Sequence, residues 1–321
     1  ISSLTKKEIS RRIKFDKLGM SKLEIADTFN KYFLTVGEFT TDSTETCCEN
    51  YIASNYPSSV FLFSTDQQEV VKLITSLKDN CACGPDDIKP KPLKAISHII
   101  ATPLTHIYNF MLSSGIFPDQ MKLAKVTAIH KGGSFDELNN YRPISVLSVF
   151  AKMAERVIYK RITGFPNANN IIAKDQYGFC KNKSAESALL SIKEYILDNF
   201  ENKIFALGIF LDFRKAFDSI QHDLLLQKLP YYGIRGTTAQ LIQSYLSSRK
   251  QYTVVNNTHS QVEQIKYGVA QGSILGPILF LLFINNIVNI EGHKKIILYT
   301  DDTNVFLAGS NVCELYKEAN V

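Results

Sequence analysis

The sequence predicts an α+β fold, in which helices and β-strands are mixed without a regular alternation. Several segments have apolar residues at helical spacing, whereas residues 205–211 form a continuous apolar run that is typical of a buried strand. Residues 295–299 and 304–307 have the pattern of two strands in a tight hairpin. Because these elements do not follow a βαβ order, a doubly wound parallel sheet is not predicted.

The N-terminal region is predicted to be helical and then irregular. Residues 1–20 carry six basic and two acidic side chains, which indicates a solvated helical face or, alternatively, a phosphate-binding arm. A helix is expected over 25–36, and residues 40–60 are expected to form a loop because they are rich in Thr, Ser and Asn.

Helices are also predicted in the next part of the chain. Thr65 and Gln68 are spaced as a capping box for a helix over 70–77. Helical spacing then extends over 93–111, with a break predicted at Pro103 because proline lacks the backbone N–H that a helix uses.

A strand is predicted over 126–129, and amphipathic helices over 150–158 and 188–196. The apolar run at 205–211 is interpreted as a central strand that is buried on both faces. Each assignment depends on the spacing of apolar side chains.

Two strands, at 252–255 and 264–269, are predicted to pair around a polar turn at 256–257. Residues 274–290 are the most apolar stretch, but proline and asparagines interrupt it well before the ~20 residues that cross a bilayer. A buried helix is therefore expected there, with no membrane role.

The composition is that of an ordinary globular protein. Hydrophobic residues make up 45%, charged residues 21%, and the net charge is +5, which suits a nucleic-acid partner without requiring one. The six cysteines are not spaced as zinc ligands, so reduced thiols and an intracellular setting are expected. An initiator Met and a signal-peptide pattern are both absent, so we expect an internal piece of a longer protein.

Three acidic residues form the main candidate site. Asp212 directly follows an apolar strand, and Asp301 and Asp302 lie at the tip of the predicted hairpin. Each alone could be a turn former or a solvated acidic turn. Adjacent carboxylates nevertheless repel each other, and convergence of all three would hold two divalent ions for phosphoryl transfer. Mg²⁺ is the cation expected for such an all-oxygen ligand set.

A second candidate feature is the loop of Gln271, Gly272 and Ser273, which precedes an apolar helix. Glycine would let the backbone approach a nucleotide closely, and the polar side chains could contact it. A simple helix-entry turn is the alternative.

The order of these motifs resembles the reverse transcriptase domain of LINE-type, non-LTR retrotransposons, particularly the Jockey-like branch. The resemblance covers roughly residues 81–308. Seven motifs in the family's order make coincidence very improbable. The matching stretches are 84–86, Lys131 with 140–145, Lys152 with Glu155, 176–179, 210–212 with 215–218, 271–273 through 283–285, and 299–302.

The resemblance implies a role for each site residue. Asp212 and Asp301 would bind the metal ions directly, with Asp302 completing the acidic cluster. Lys131 and Arg142 would contact the incoming triphosphate, where an arginine can bind phosphate through two hydrogen bonds. Gln271 and Gly272 would line the nucleotide pocket. Phe217 would exclude a ribose 2′-hydroxyl, although a core aromatic is an equally good interpretation.

The resemblance also implies the organisation and the partners. Residues 1–80 would form a helical connecting region, and 81–321 the fingers and palm of a right-hand polymerase, truncated after the acidic hairpin and without a thumb. Expected partners are an RNA template, a DNA primer or nicked target DNA, deoxynucleoside triphosphates and two Mg²⁺ ions, but no membrane. The oligomeric state and the choice between nucleus and cytoplasm are not predicted.

Two other functions are considered. Cys180, Ala270 and Thr300 depart from the family's usual Arg, Pro and Ala. Each departure is tolerable alone, and together they leave open a decaying copy that at most binds RNA non-specifically. A two-metal nuclease would also use clustered carboxylates. The loop at 271–273 and the aromatic residue at 217 favour polymerisation over cleavage.

Overall fold

Helices and strands are mixed in the computed structural model, which describes residues 19–35, 37, 56–213, 215–289 and 294–320. The predicted α+β class is confirmed. Short 3-10 helices lie at Asp119–Met121, Leu138–Asn140, Leu229–Tyr232 and Asn285–Asn289. The α-helices are α1 (Lys22–Thr35), α2 (Gln67–Thr75), α3 (Pro90–Ala95), α4 (Ser97–Ser114), α5 (Val149–Ala168), α6 (Ala185–Glu201), α7 (His222–Lys228), α8 (Gly236–Leu246), α9 (Gly276–Ile284) and α10 (Val312–Ala319). The strands are β1 (Leu123–His130), β2 (Tyr141–Val146), β3 (Phe205–Asp212), β4 (Lys250–Val255), β5 (Thr258–His259), β6 (Glu263–Gln264), β7 (Lys294–Tyr299) and β8 (Asp302–Gly309).

The strands form two sheets. In the larger sheet the order is β2-β1-β4-β5, and β6 also pairs with β4. Only the β1–β4 pair of this sheet is parallel, and the other pairs are antiparallel. The smaller sheet has the order β3-β8-β7 and is antiparallel throughout. The acidic candidate residues therefore lie on the smaller sheet.

Apolar side chains join the helices into one main core. This core contains buried residues of α2, α4, α5, α7, α8 and α9. Helix α1 packs instead on the larger sheet, where Phe29 contacts the ring of Tyr141 edge to face at a centroid distance of 4.8 Å. Helix α6 covers one face of the smaller sheet through Ala188, which packs with Ile297 and Phe306.

Most of the predicted elements are confirmed. Strand β1, helices α5 and α6, the β7–β8 hairpin and the buried helix α9 lie where periodicity placed them. No helix in the described parts of the chain is long and apolar enough to cross a bilayer. The predictions for 1–20 and 40–60 fall largely outside the described residues.

Two helix predictions need correction. Helix α4 continues through Pro103, and the chain instead breaks at Ile96 between α3 and α4. A proline removes only one backbone hydrogen bond, and buried side chains before and after it keep this helix packed in the core. The N-cap of α2 is Asp66, whose side chain accepts from the N–H of Glu69, so the predicted Thr65–Gln68 capping box is wrong.

The predicted central, doubly buried strand at 205–211 is also wrong. Strand β3 lies at the edge of the smaller sheet, and the side chain of Phe210 is 69% exposed. An apolar run shows that the side chains are apolar, but it does not show how many strands will flank the segment. Here that number depends on the pairing of β3 with β8, some 90 residues later. Edge position leaves Asp212 at an accessible end of this sheet.

The strand predicted over 264–269 is much shorter than expected. Strand β4 turns at 256–257 into β5, and β6 contains only Glu263–Gln264. Beyond it, the N–H groups of Gly268 and Val269 donate to the carbonyls of Ile220 and Phe217 rather than to a strand. The segment therefore connects the larger sheet to the candidate site.

Glu69 joins α2 to α5 through ion pairs with Lys160 and Arg161. Arg161 donates to both carboxylate oxygens of Glu69, at 2.9 and 2.6 Å, and its side chain is fully buried. This hydrogen bonding is the largest of the effects that lower the pKa of Glu69 from 4.5 to about 2. Ionised Glu69 therefore stabilises the fold above about pH 4.5, and this stabilisation is lost as the pH falls towards 2.

We expect Glu69→Gln to lower the free energy of unfolding by about 2 kcal/mol at pH 7, because Arg161 loses its charged partner. Denaturant unfolding across pH 3–7 would show this difference shrinking at the acid end. The matched control is Glu194→Gln, which alters an exposed carboxylate on α6. Equal stability of the two variants at pH 7 would contradict the prediction.

Candidate active site

Strand register gathers the three acidic residues at one end of the smaller sheet. Asp212, the last residue of β3, lies opposite Asp302, the first residue of β8. Asp302 is also paired with Tyr299 at the end of β7, which leaves Thr300 and Asp301 as a two-residue turn. The backbone thus brings together carboxylates that are about 90 positions apart in the chain.

A cavity of about 520 Å³ opens beside this turn. Its size is within the usual range of ligand sites. Six of the eight candidate residues line it, namely Lys131, Arg142, Asp212, Phe217, Gln271 and Asp301. Asp302 and Gly272 are adjacent to this lining but do not form part of it.

The two predicted phosphate-binding cations come from one hairpin of the larger sheet. Lys131 directly follows β1, and its N–H donates to the carbonyl of Asn140 at 2.8 Å, just before β2 begins. Arg142 lies on β2 with an exposed side chain. The hairpin therefore presents both cations to the cavity that Asp212 and Asp301 also line.

The pKa of the Asp301 carboxyl is shifted by burial and by the other charges of the site. Burial raises the pKa of its carboxyl, and the negative charges of Asp302 and Asp212 raise it further. The positive charge of Arg142 acts in the opposite direction and lowers this pKa. The carboxylates and the arginine are thus close enough to influence one another, as a charged substrate site requires.

The donor set fits divalent cations in part. Asp212 and Asp301 offer carboxylate oxygens to the same cavity, and hard cations such as Mg²⁺ prefer oxygen ligands. Their mutual repulsion is also the kind that a cation offsets. Among the described residues, however, no three His, Cys, Asp or Glu side chains are grouped closely enough to hold a metal ion. The fit consequently rests on two carboxylates, with Asp302 as their neighbour.

Phe217 has both of the surroundings that its sequence position suggested. Its ring stacks on Phe280 at a centroid distance of 4.8 Å and meets Phe179 edge to face at 6.3 Å. It is only half-buried, and it also lines the cavity. The ring is therefore a core contact on one side and a wall of the candidate site on the other.

The loop that contains Gln271 is held by hydrogen bonds to three other parts of the chain. The carbonyl of Gln271 accepts from the N–H of Ser145 on β2 at 2.8 Å, and the side-chain Nε2 of Gln271 donates to Asp218 at 2.6 Å. Just after the loop, the N–H of Ile274 donates to the buried carboxylate of Glu155 at 2.5 Å. The amide nitrogen of Gln271 is thus committed to Asp218.

Gly272 is required by the protein's own packing. Its φ is +125°, and a Cβ there would lie 2.5 Å from the carbonyl oxygen of Ser145. The glycine therefore allows a close backbone approach to β2, and the predicted approach to a nucleotide stays a prediction. This contact keeps Gln271 at the cavity wall.

Asp218 and Lys215 also line the cavity but were given no role from the sequence. Burial raises the pKa of Asp218 to about 7, while the charge of Lys215 and the hydrogen bond from Gln271 both lower it. Both residues lie in the stretch 215–218 that carries the family resemblance. That position was a usable signal, but only the fold shows that they reach the site.

The raised pKa of Asp218 makes stability depend on pH. The folded chain holds this proton more tightly than the unfolded chain, so the associated stability is present below about pH 4 and is lost as the pH rises through 7. We expect Asp218→Asn to be more stable than the parent chain at pH 8, with a smaller difference at pH 5. Thermal unfolding at both pH values, with the exposed Asp198→Asn as control, measures this. A difference that is constant with pH would contradict it.

A known family matches the part of the chain that contains this site. The family described as reverse transcriptase (RNA-dependent DNA polymerase) matches residues 129–319, which is well over half of the chain. The "Probable RNA-directed DNA polymerase from transposon BS" of Drosophila melanogaster is 33% identical over 260 residues, or 77% of this chain and 28% of that protein.

Two further Drosophila melanogaster proteins are similar. The "RNA-directed DNA polymerase from mobile element jockey" is 30% identical over 275 residues, covering 82% of this chain and 30% of that protein. The "Probable RNA-directed DNA polymerase from transposon X-element" is 32% identical over 248 residues, covering 74% and 26% respectively. The chain therefore spans less than a third of the length of these relatives.

Proposed function

Because the chain belongs to the reverse transcriptase family, in its LINE-type, Jockey-like branch, we propose that it adds deoxynucleotides to a primer on an RNA template. The observation that carries this proposal is the shared cavity of Asp212, Asp301, Lys131 and Arg142. Carboxylates that can bind cations share this cavity with basic side chains that can bind a triphosphate, as phosphoryl transfer requires.

We further propose how the chain is organised. The larger sheet with its basic β1–β2 hairpin would belong to the fingers, and the smaller sheet with the acidic turn to the palm. Residues 1–80 would form a helical connecting region, and residues 81–321 would contain the fingers and palm. The division at residue 80 remains a prediction.

Asp212 and Asp301 would hold two Mg²⁺ ions, and Asp302 would add negative charge beside them. When bound there, the ions would supply positive charge that offsets the negative charge developing in the displacement. Asp212, at the end of β3, lies opposite Asp302, and Asp301 precedes Asp302 in the turn that the pairing of Tyr299 with Asp302 closes. The protein thus supplies a rigid acidic end to the sheet, which lowers the reorganisation that the reaction needs.

The other residues would bind and select the nucleotide. Lys131 and Arg142 would neutralise the triphosphate, and Arg142 would also offset charge that develops on the leaving group. Phe217 would close the space that a 2′-hydroxyl needs. Because its side-chain nitrogen donates a hydrogen bond to Asp218, Gln271 would present its side-chain oxygen to the nucleotide. Gly272 would keep this loop close to β2.

The proposed partners follow from this chemistry. They are an RNA template, a DNA primer or a nicked target DNA, and deoxynucleoside triphosphates. The template would be recognised mainly through its phosphates and helical shape, so that any sequence can be copied.

Primer extension tests the proposal. A labelled DNA primer on an RNA template would be incubated with deoxynucleotides, Mg²⁺ and either the parent chain, Asp301→Ala or the control Asp198→Ala. Extension by the parent and the control, but not by Asp301→Ala, is the expected result. No extension from a parent chain that unfolds cooperatively would overturn it, and shortening of the labelled strand instead would identify a nuclease.

The second candidate is an inactive remnant that binds RNA non-specifically. Thr300 favours it, because this β-branched residue has a φ of +62° in the turn beside Asp301. Such a conformation costs of order 1–3 kcal/mol, and the usual alanine would tolerate it better. Salt-sensitive RNA binding by a folded chain without primer extension would establish this alternative.

A further inference from the structure

The turn that carries Asp301 is conformationally strained. Its first residue, Thr300, has a φ of +62°, which β-branched residues rarely adopt. A strained turn persists only where the surrounding structure holds it in place. The position of the Asp301 carboxylate therefore depends on what contacts the backbone of this turn.

A buried glutamine makes that contact from a distant part of the chain. The side-chain oxygen of Gln176 accepts from the N–H of Thr300 at 3.0 Å and from the N–H of Gly178 at 2.8 Å. The residue is only 2% exposed. Its carboxamide oxygen thus satisfies two backbone donors at once, one in the turn and one in its own segment of the chain.

The backbone around Gln176 runs alongside the end of β7. The N–H of Tyr177 donates to the carbonyl of Leu298 at 2.8 Å, and the N–H of Leu298 donates to the carbonyl of Asp175 at 2.9 Å. Gly178 lies directly against the turn, because a Cβ there would be 2.4 Å from the nitrogen of Thr300. The backbone of segment 175–178 is therefore fixed in register with the hairpin without any contribution from the side chain of Gln176.

We propose that Gln176 is a positioning residue, whose side-chain oxygen holds the Thr300–Asp301 turn and so aims the Asp301 carboxylate into the cavity. The proposal rests on the proposed polymerase function, since it deepens the role of Asp301. Gln176 does not line the cavity, and its effect passes through the backbone N–H of Thr300. Loss of the oxygen leaves two donors unsatisfied, which the turn relieves by changing its backbone conformation.

Three variants separate positioning from general stabilisation. Gln176→Leu removes the acceptor at similar side-chain size, and Gln176→Glu keeps an oxygen that can accept both hydrogen bonds. Gln68→Leu makes the same change at an exposed position on α2 and serves as the control. All are made in the full chain, and melting temperatures identify any variant that is unfolded.

Two measurements do not need catalysis. We expect amide hydrogen exchange at Thr300 to be about tenfold faster or more in Gln176→Leu than in the parent. We also expect Mg²⁺ affinity, measured by calorimetry with Mg²⁺ alone, to fall about tenfold. Gln176→Glu should restore both values towards those of the parent. Unchanged exchange at Thr300, or unchanged Mg²⁺ affinity in a folded variant, would overturn the proposal.

Primer extension gives the third measurement. For Gln176→Leu we expect kcat to fall about 10²-fold because Asp301 is misplaced, with the KM for deoxynucleotide within about threefold. A variant that is merely less stable, with the kcat of Gln68→Leu, would overturn the positioning role. If the parent binds Mg²⁺ but extends no primer, the polymerase function has failed, and the affinity difference still decides whether Gln176 positions the carboxylate.

Discussion

Replacing Asp212 with asparagine is expected to lower the rate of primer extension about 10³-fold or more, which corresponds to roughly 4 kcal/mol of transition-state stabilisation. The substitution keeps the size of the side chain but removes the Asp212 carboxylate from the cavity that Asp218 and Asp301 also line. Activity should fall although the fold is intact.

The same change should not weaken the fold. The charge of Asp212 helps to raise the pKa of Asp301, so neutralising it removes a repulsion between the ends of β3 and β8. We expect the melting temperature to stay equal or to rise by about 1–2 °C. Stopped extension assays and thermal unfolding, with Asp198→Asn as control, measure both effects. Loss of activity together with a marked fall in melting temperature would indicate misfolding and contradict the metal-ligand role.

Replacing Phe217 with valine is expected to reduce the preference for deoxynucleotides over ribonucleotides roughly 10²-fold. The ring borders the cavity, and a smaller side chain would leave space for the 2′-hydroxyl. Because the ring also stacks on Phe280, the fold should lose about 1–2 kcal/mol of stability as well.

A change at the other side of the stack separates the two effects. Phe280 is buried and does not line the cavity, so Phe280→Leu should destabilise the fold without changing nucleotide selection. The ratio of kcat/KM for the two nucleotide classes, measured for both variants, is the test. An equal change of selectivity in both would show that Phe217 acts only as a core residue.

Periodicity predicted the elements that depend on local sequence. Helices α5 and α6 were found because apolar residues repeat at helical spacing, and helix α9 because its stretch is the most apolar of the chain. The candidate site residues were chosen through the order of motifs, and six of the eight line one cavity, while their roles stay predictions.

The remaining features depend on contacts between distant residues. Strand β3 was assigned to the centre of a sheet because its apolar residues do not reveal which strand will pair with it. The hydrogen bond from Gln271 to Asp218 spans 53 positions, and that from Thr300 to Gln176 spans 124. Side-chain chemistry alone cannot select these partners, since many polar groups could satisfy each donor.

The pairing of β3 with β8 limits how this protein can change in length. Side chains alternate between the two faces of a strand, so one residue inserted or deleted within β3 would turn the following carboxylate to the opposite face. Asp212 would then point away from Asp301, although every amino acid of the motif would still be present. Among related reverse transcriptase sequences, insertions and deletions should therefore accumulate in loops such as 131–140. They should be eliminated within the eight-residue strands β3 and β8.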